Sequence, residues 1–306
     1  MTEATSPAPE STAPPQEEGT AEHSAGEVVR AALQRSVDRL NQHAPQVLQS
    51  EDPEEVHQAR VATRRLRSDL RTFRPLLHRD WADAQRRRLQ PFAAALGTVR
   101  DADVLLERLR SGCATLSAAD RPAGDRLIAT LEAQREQRKH ALLESLRSED
   151  FAALVDSLHR AAEAPQFTAT AAEPAVETLP QLARKAWRRL RRRVSLAGGD
   201  PADTTLHEIR ILAKRARYAS EAVASVCSSQ VTAFAKQIAG LQDVLGRQHD
   251  AVTAEQWLRS EVDDDGADPI VVGQLIALER ASAVTGREEW RAAWKRVRAA
   301  HPSSWT

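Results

Sequence analysis

The stretch VHQARVATRRLRSDLRTFR, Val56 to Arg74, constrains the fold more than any other part of the chain. Wound as a helix at about 100° per residue, it separates into two faces. Ala59, Ala62, Leu66, Leu70, Phe73 and Leu77 fall on one side; His57, Arg60, Arg64, Arg67, Arg71 and Arg74 fall near the other. The first face requires burial against other helices. The second holds no carboxylate, because Asp69 lies off it, four residues from Arg65, where those two can pair. An ordinary solvated helix face mixes both signs. Like charges at this spacing cost roughly 0.2–0.5 kcal/mol per exposed pair, so a stripe of this purity points to an external anion.

The pattern recurs. In LHEIRILAKRARYASEAV, Leu206 to Val223, His207 stands for His57, Arg210 for Arg60, Lys214 for Arg64, Arg215 for Arg65 and Arg217 for Arg67, each 150 residues later. Ile209, Leu212, Ala216, Ala219 and Val223 form its apolar side, and Glu221 ends the basic stripe early. A second pair follows in the same order: LGTVRDADV (Leu96 to Val104) and LGRQHDAV (Leu245 to Val252) align Gly97 with Gly246 and Asp101 with Asp250. Arg87 and Lys236 match in that register. Two paired motifs at nearly one offset read as an internal duplication.

These doubled H-x-x-R-x-x-x-[RK]-R-x-R helices, each followed by L-G-x-x-x-D, resemble the CHAD family, the conserved histidine α-helical domain. The resemblance covers residues 27–306. It implies an all-α fold of two similar helical bundles around a central basic groove. It also implies non-catalytic binding of inorganic polyphosphate, with recruitment to polyphosphate granules as one use. Carried over residue by residue, the binding set is His57, Arg60, Arg64, Arg67 and Arg71 with His207, Arg210, Lys214 and Arg217. Arg87, Lys236, Arg184 and Arg188 form a second tier.

The residue chemistry agrees with that expectation. A phosphate chain presents repeated oxyanions and no base edges. The planar fork of arginine binds two oxygens, and lysine adds a compact charge. His57 to Arg71 spans roughly 21 Å at 1.5 Å per residue, which suits a linear polyanion better than one small ligand. The histidines sit in early helical turns, where amide ends favour anions.

Net charge is no guide, since Lys+Arg and Asp+Glu are both 43. Residues 1–27 carry six carboxylates and no Lys or Arg, so the remainder has a basic excess of six, and any polyanion site must arise by clustering. That opening segment (1–26), rich in Pro, Ala and Ser, is expected to be a disordered tail. Ala164–Pro174 is the expected linker between a first helical half (27–163) and a second (175–306). Helices are expected throughout. Asp52, Asp80, Asp203 and Asp268 are candidate N-caps, and breaks are expected at Gly97, between Leu245 and Gln248, and between Ala283 and Arg287. No segment alternates long enough to make a sheet.

Two cysteines, Cys113 and Cys227, are too few for a disulfide framework. No apolar run approaches the ~18 residues of a membrane span, and the N-terminus lacks a signal peptide's apolar core. A cytoplasmic protein without membrane contact is therefore expected. No metal site is expected, because neither histidine has a second ligand at i+4 or a nearby cysteine, and no cofactor is expected either. The alternatives are duplex nucleic-acid binding and phosphohydrolysis. Aromatics at 4% leave few stacking platforms for single strands, and no Walker-type glycine loop is present. Gly97 and Gly246 read as packing or bend positions, and Asp101 and Asp250 as partners of basic residues.

Overall fold

A computed structural model describes residues 23–263 and 267–302. Residues 1–22 of the expected tail and 264–266 of the DDDGADP loop lie outside the described residues. The described chain is all-α. Its helices are α1 (Ala25–His43), α2 (Gln46–Gln49), α3 (Pro53–Thr72), α4 (Arg79–Cys113), α5 (Arg121–Arg147), α6 (Glu149–Glu163), α7 (Ala175–Ser195), α8 (Asp203–Val223), α9 (Ser229–Asp263) and α10 (Pro269–Ala299). Among the described residues β structure is limited to two isolated bridges, Ser24 with Pro174 and Leu77 with Phe167.

The element bounds repeat. α3, the 3-10 turn Arg74–Leu76 and α4 begin at 53, 74 and 79; α8, the turn Ala224–Val226 and α9 begin at 203, 224 and 229. α1 and α7 begin at 25 and 175. The 150-residue spacing of the sequence motifs is thus also the spacing of the helices that carry them.

The apolar stripes dictate the packing. Ala59, Ala62, Leu66, Leu70, Phe73 and Leu77 are all buried, as are Ile209, Ala216, Ala219 and Val223. They join one core cluster that also takes Leu89 and Leu96 from α4 and Phe234 and Leu241 from α9. A second cluster sits where the far ends of α4 and α9 meet α5 and α10. There Leu105, Leu109, Leu127 and Leu131 pack with Leu258, Val271 and Leu275. Both clusters draw on both expected halves.

The segment expected as a linker, 164–174, is packed against the body. Phe167 lies on the core and Ala171 is buried. His78 N–H donates to the Gln166 carbonyl at 2.8 Å, and Ala25 N–H to the Glu173 carbonyl at 2.8 Å.

The expected breaks do not occur. α4 runs through Pro91 and Gly97, α9 through Gly240 and Gly246, and α10 through 283–287. A glycine costs a helix roughly 1 kcal/mol and an interior proline roughly 3 kcal/mol. Burial of Leu89, Phe92, Leu96 and Val99 around the α4 interruptions, roughly 1.5–3 kcal/mol each, outweighs both.

Helix starts follow local chemistry in part. Asp52 accepts from Glu54 N–H at 2.9 Å, with Pro53 opening α3, and Asp268 accepts from Ile270 N–H at 2.9 Å. Ser24 and Glu27 form a capping box, which starts α1 two residues before Glu27. Asp80 and Asp203 are not N-caps; His78 and Ala202 hold those positions. Asp203 instead takes Gln248 at 2.7 Å and pairs with Arg287. Gly198, at φ +68, ends the chain's exit from α7 in the left-handed region.

α9 and α10 approach closely at Gly286. A Cβ there would stand 2.7 Å from the Gln248 Cβ and 3.3 Å from its Cα. Gly286→Ala should therefore lower the thermal midpoint despite better helix propensity. The expected loss is about 1–3 kcal/mol of overpacking strain, read by thermal unfolding. An unchanged or raised midpoint would show that the two helices can part at no cost.

Candidate functional site

α3 and α8 pack together, and their basic sides meet at a cleft of about 300 Å³. From α3 come Arg60, Arg64, Arg67, Ser68 and Arg71; from α8 come Ile211, Lys214, Arg215 and Tyr218; from α4 come Arg86 and Ala93. Each helix turns its apolar stripe into the core, which leaves the opposite stripe to face the neighbouring helix, the cleft and solvent, and Arg71 and Arg215 are exposed. Among the described residues no carboxylate pairs with Arg64, Arg67, Arg71, Lys214 or Arg215, whereas Arg86 is held by Asp83 at 3.1 Å.

The crowding of like charge shows in the protonation equilibria. Desolvation, then Arg210, Arg64 and Arg60, bring the Lys214 ammonium down to about 8. Arg71 falls to about 10, through desolvation and then Arg215, Arg86 and Arg67. Desolvation lowers Arg67 and Arg215 as well. A polyanion entering the cleft would offset the like-charge part of these shifts.

Two ion pairs flank the cleft at equivalent places. Arg60 Nη2 lies 3.0 Å from Asp101, and Arg210 Nη2 lies 3.9 Å from Asp250. These pairings fit the role expected for the two aspartates. Gly97 and Gly246 do not interrupt their helices, and neither is a site of tight packing. Nothing lies within 4 Å of a Cβ built on Gly97, and only the Arg210 guanidinium, at 3.9 Å, approaches one on Gly246.

The histidines sit beside the cleft, outside its lining. His57 is half-buried on α3; desolvation and then Arg100 lower its pKa. His207 lies against His249, the rings tilted with centroids 4.5 Å apart, and desolvation, then Arg210 and Lys214, lower its pKa. Both are therefore shifted toward the neutral form in the free protein.

A family model described as the CHAD domain matches residues 31–259. The chain belongs to the CHAD family. Two uncharacterized proteins of Mycobacterium tuberculosis, MT2285 and Rv2226, are each 31% identical to it over 258 residues. That match covers 79% of this chain and 48% of each of theirs, so the chain spans about half the length of these curated relatives. Among solved structures, PptA from Streptomyces chartreusis superposes with a TM-score of 0.75 at 23% identity, covering 89% of this chain and all of that one. The CHAD domain from the plant Ricinus communis gives 0.74 at 24% identity, covering 91% and 93%. These likenesses establish the all-α CHAD fold.

Within that fold the expected binding residues part company. Arg60, Arg64, Arg67, Arg71 and Lys214 share the cleft. Arg210 is half-buried behind it, close enough to Lys214 to lower its pKa. Arg217 does not line it. Its Nε pairs with Glu221 at 2.6 Å, and its Nη1 donates to Gln242 Oε1 at 3.2 Å.

The second tier does not line it either. Arg87, Lys236 and Arg188 are exposed on α4, α9 and α7, and Arg184 lies close enough to His301 and Cys227 to shift both. Arg86 takes the place expected for Arg87, because one residue along a helix is a rotation of about 100°.

Arg215 and Tyr218 are cleft residues that the motif reading passed over. The signal for Arg215 was present. Its counterpart Arg65 has Asp69 four residues on, 3.3 Å away, whereas Arg215 has Ala219 there. Among the described residues no group of three His, Cys, Asp or Glu is placed to hold a metal ion, and no helix is long and apolar enough to cross a membrane.

Proposed function

We propose that this CHAD protein binds inorganic polyphosphate without catalysing its conversion, through the basic cleft between α3 and α8. The observation that carries the reading is the convergence of two arginine- and lysine-rich stripes on one cleft. Five of the cations there, Arg64, Arg67, Arg71, Lys214 and Arg215, have no carboxylate partner among the described residues. A repeating oxyanion supplies what those groups lack. The repeated helix bounds support a duplicated ancestor whose two copies each contribute one wall. Recruitment to polyphosphate granules in the cytoplasm is the corresponding cellular proposal.

Titration calorimetry with polyphosphate, using heparin and duplex DNA at the same salt concentration as controls, tests the reading. Polyphosphate should bind more tightly than either control, and the logarithm of its affinity should fall linearly with log salt as counterions are released. Tighter binding of duplex DNA would replace the assignment with nucleic-acid recognition. Phosphate released from polyphosphate in the presence of Mg²⁺ would replace it with hydrolysis.

The affinity should also depend on pH in two steps. Bound phosphate raises the pKa values of nearby cations, so binding takes up protons wherever a group is neutral in the free protein. His57 and His207, lowered in the free chain, should make affinity fall as pH rises from their free to their bound values. Lys214, at about 8 when free, should cause a further fall above that pH. Lys214→Arg should remove the upper step alone, in calorimetry from about pH 5.5 to 9, below the value of about 10 to which Arg71 is lowered. A profile flat over that range would place all three groups outside the ligand's reach.

A further inference from the structure

The 150-residue spacing lets each cleft residue be compared with its counterpart, and the two sides differ. Arg67 corresponds to Arg217, Arg65 to Arg215 and Arg71 to Glu221. In the register of the second motif pair, Ala93 corresponds to Gln242. On the cleft side, Arg67, Arg71 and Arg215 crowd one another without a carboxylate, and small Ala93 helps line the space. On the counterpart side, Glu221 pairs with both Arg65 and Arg217, Asp69 holds Arg65 at 3.3 Å, and Gln242 accepts from Arg217. A duplicated pair of helices would offer two equivalent basic mouths. This chain has one mouth lined without a carboxylate and, beside Arg65, a cavity of about 270 Å³ in which Asp69 and Glu221 face Arg35, Arg39 and Arg65.

We infer that Glu221 is a specificity-determining residue that neutralises the second mouth and makes the polyanion site one-sided. The inference rests on the polyphosphate reading and deepens it. Glu221 neutralises the charge of Arg65 and Arg217 and repels an incoming phosphate. The bound chain is therefore confined to the side of Arg67, Arg71, Arg86 and Arg215. The number of phosphates neutralised is set by that side together with the shared cations Arg60, Arg64 and Lys214.

Counterpart substitutions in the full chain test this. Arg67→Gln and Arg217→Gln remove equivalent residues from the two sides, and binding of long-chain polyphosphate is followed across a salt series. Arg67→Gln should weaken binding about tenfold and flatten the slope of log affinity against log salt by about one. Arg217→Gln should leave both unchanged. Glu221→Gln, which keeps the side chain's shape and a hydrogen-bond acceptor, should steepen the slope by about one to two and tighten binding of long chains more than short ones.

Circular dichroism confirms folding of each variant, and the Arg67/Arg217 pair decides the matter even if Glu221→Gln is unstable. Equal losses from Arg67→Gln and Arg217→Gln overturn the one-sided site while leaving polyphosphate binding intact. Absence of binding by the unaltered chain removes both.

Discussion

Arg64→Glu combined with Lys214→Glu is expected to abolish polyphosphate binding at near-physiological salt while leaving the helical signal unchanged. The two residues project from different helices into one cleft. Hydrogen bonds to charged groups contribute about 1.5–3 kcal/mol each. Losing two of them corresponds to roughly 10²–10⁴-fold in affinity, before the added repulsion of two new carboxylates. The folded state should not suffer. Lys214 is held down to about 8 by desolvation and then by Arg210, Arg64 and Arg60, so reversing two charges relieves repulsion already present. Retained affinity in a calorimetric titration would mean that the polyanion lies elsewhere. Loss of the circular dichroism signal at 222 nm would mean that the cleft cations support the fold.

Asp69→Asn should stabilise the protein at pH 7.5 and change it little at pH 4. Asp69 is 1% exposed, accepts from Ser36 Oγ at 2.8 Å and lies 3.3 Å from Arg65. Burial raises its carboxyl to about 6, against the opposing pull of Arg65 and Ser36. A carboxyl whose folded pKa exceeds its unfolded value near 3.9 is most favourable to folding below the unfolded value. That contribution disappears as pH rises toward 6 and through it. The difference of about two pKa units corresponds to about 2–3 kcal/mol, and asparagine, neutral throughout, escapes it. Urea unfolding at the two pH values reads the effect. Lower stability of the variant at pH 7.5 would show that the Arg65–Asp69–Glu221 network gains more from charge than burial costs.

Both expectations depend on features that were unequally visible in the sequence. The burial of Ala59, Ala62, Leu66 and Leu70, and of Ile209, Ala216, Ala219 and Val223 on α8, followed from helical periodicity, which is a local property, although Leu212 of the same stripe is only partly buried. So did the Asp52 and Asp268 caps, where side chain and amide are two residues apart. The paired spacing of the two basic stripes was visible too, and the helix bounds repeat it. The breaks expected at Gly97, after Leu245 and after Ala283 failed because propensity is a small term. Long helices buried on several faces override it.

Charge neutralisation was the part least available to local reading. Arg217 and Glu221 stand at i and i+4, a signal sufficient to suggest their pair. That Arg65 would come from the other end of the duplicated pattern to share Glu221, and that Gln242 would hold Arg217, depends on how α3 crosses α8 and where α9 lies.

By itself the sequence determined that the chain is helical, which face of the two signature helices is buried, and that two carboxylate-free stripes repeat at a constant spacing, because periodicity and charge are written along the chain. Only the tertiary structure decided which cations share a cleft: Arg86 instead of Arg87, Arg215 as well as Arg71, and Arg217 withdrawn by Glu221. Coulomb interactions act across a few ångströms in space, and the distance between residues 65 and 221 is fixed by helix packing, not by their separation along the chain.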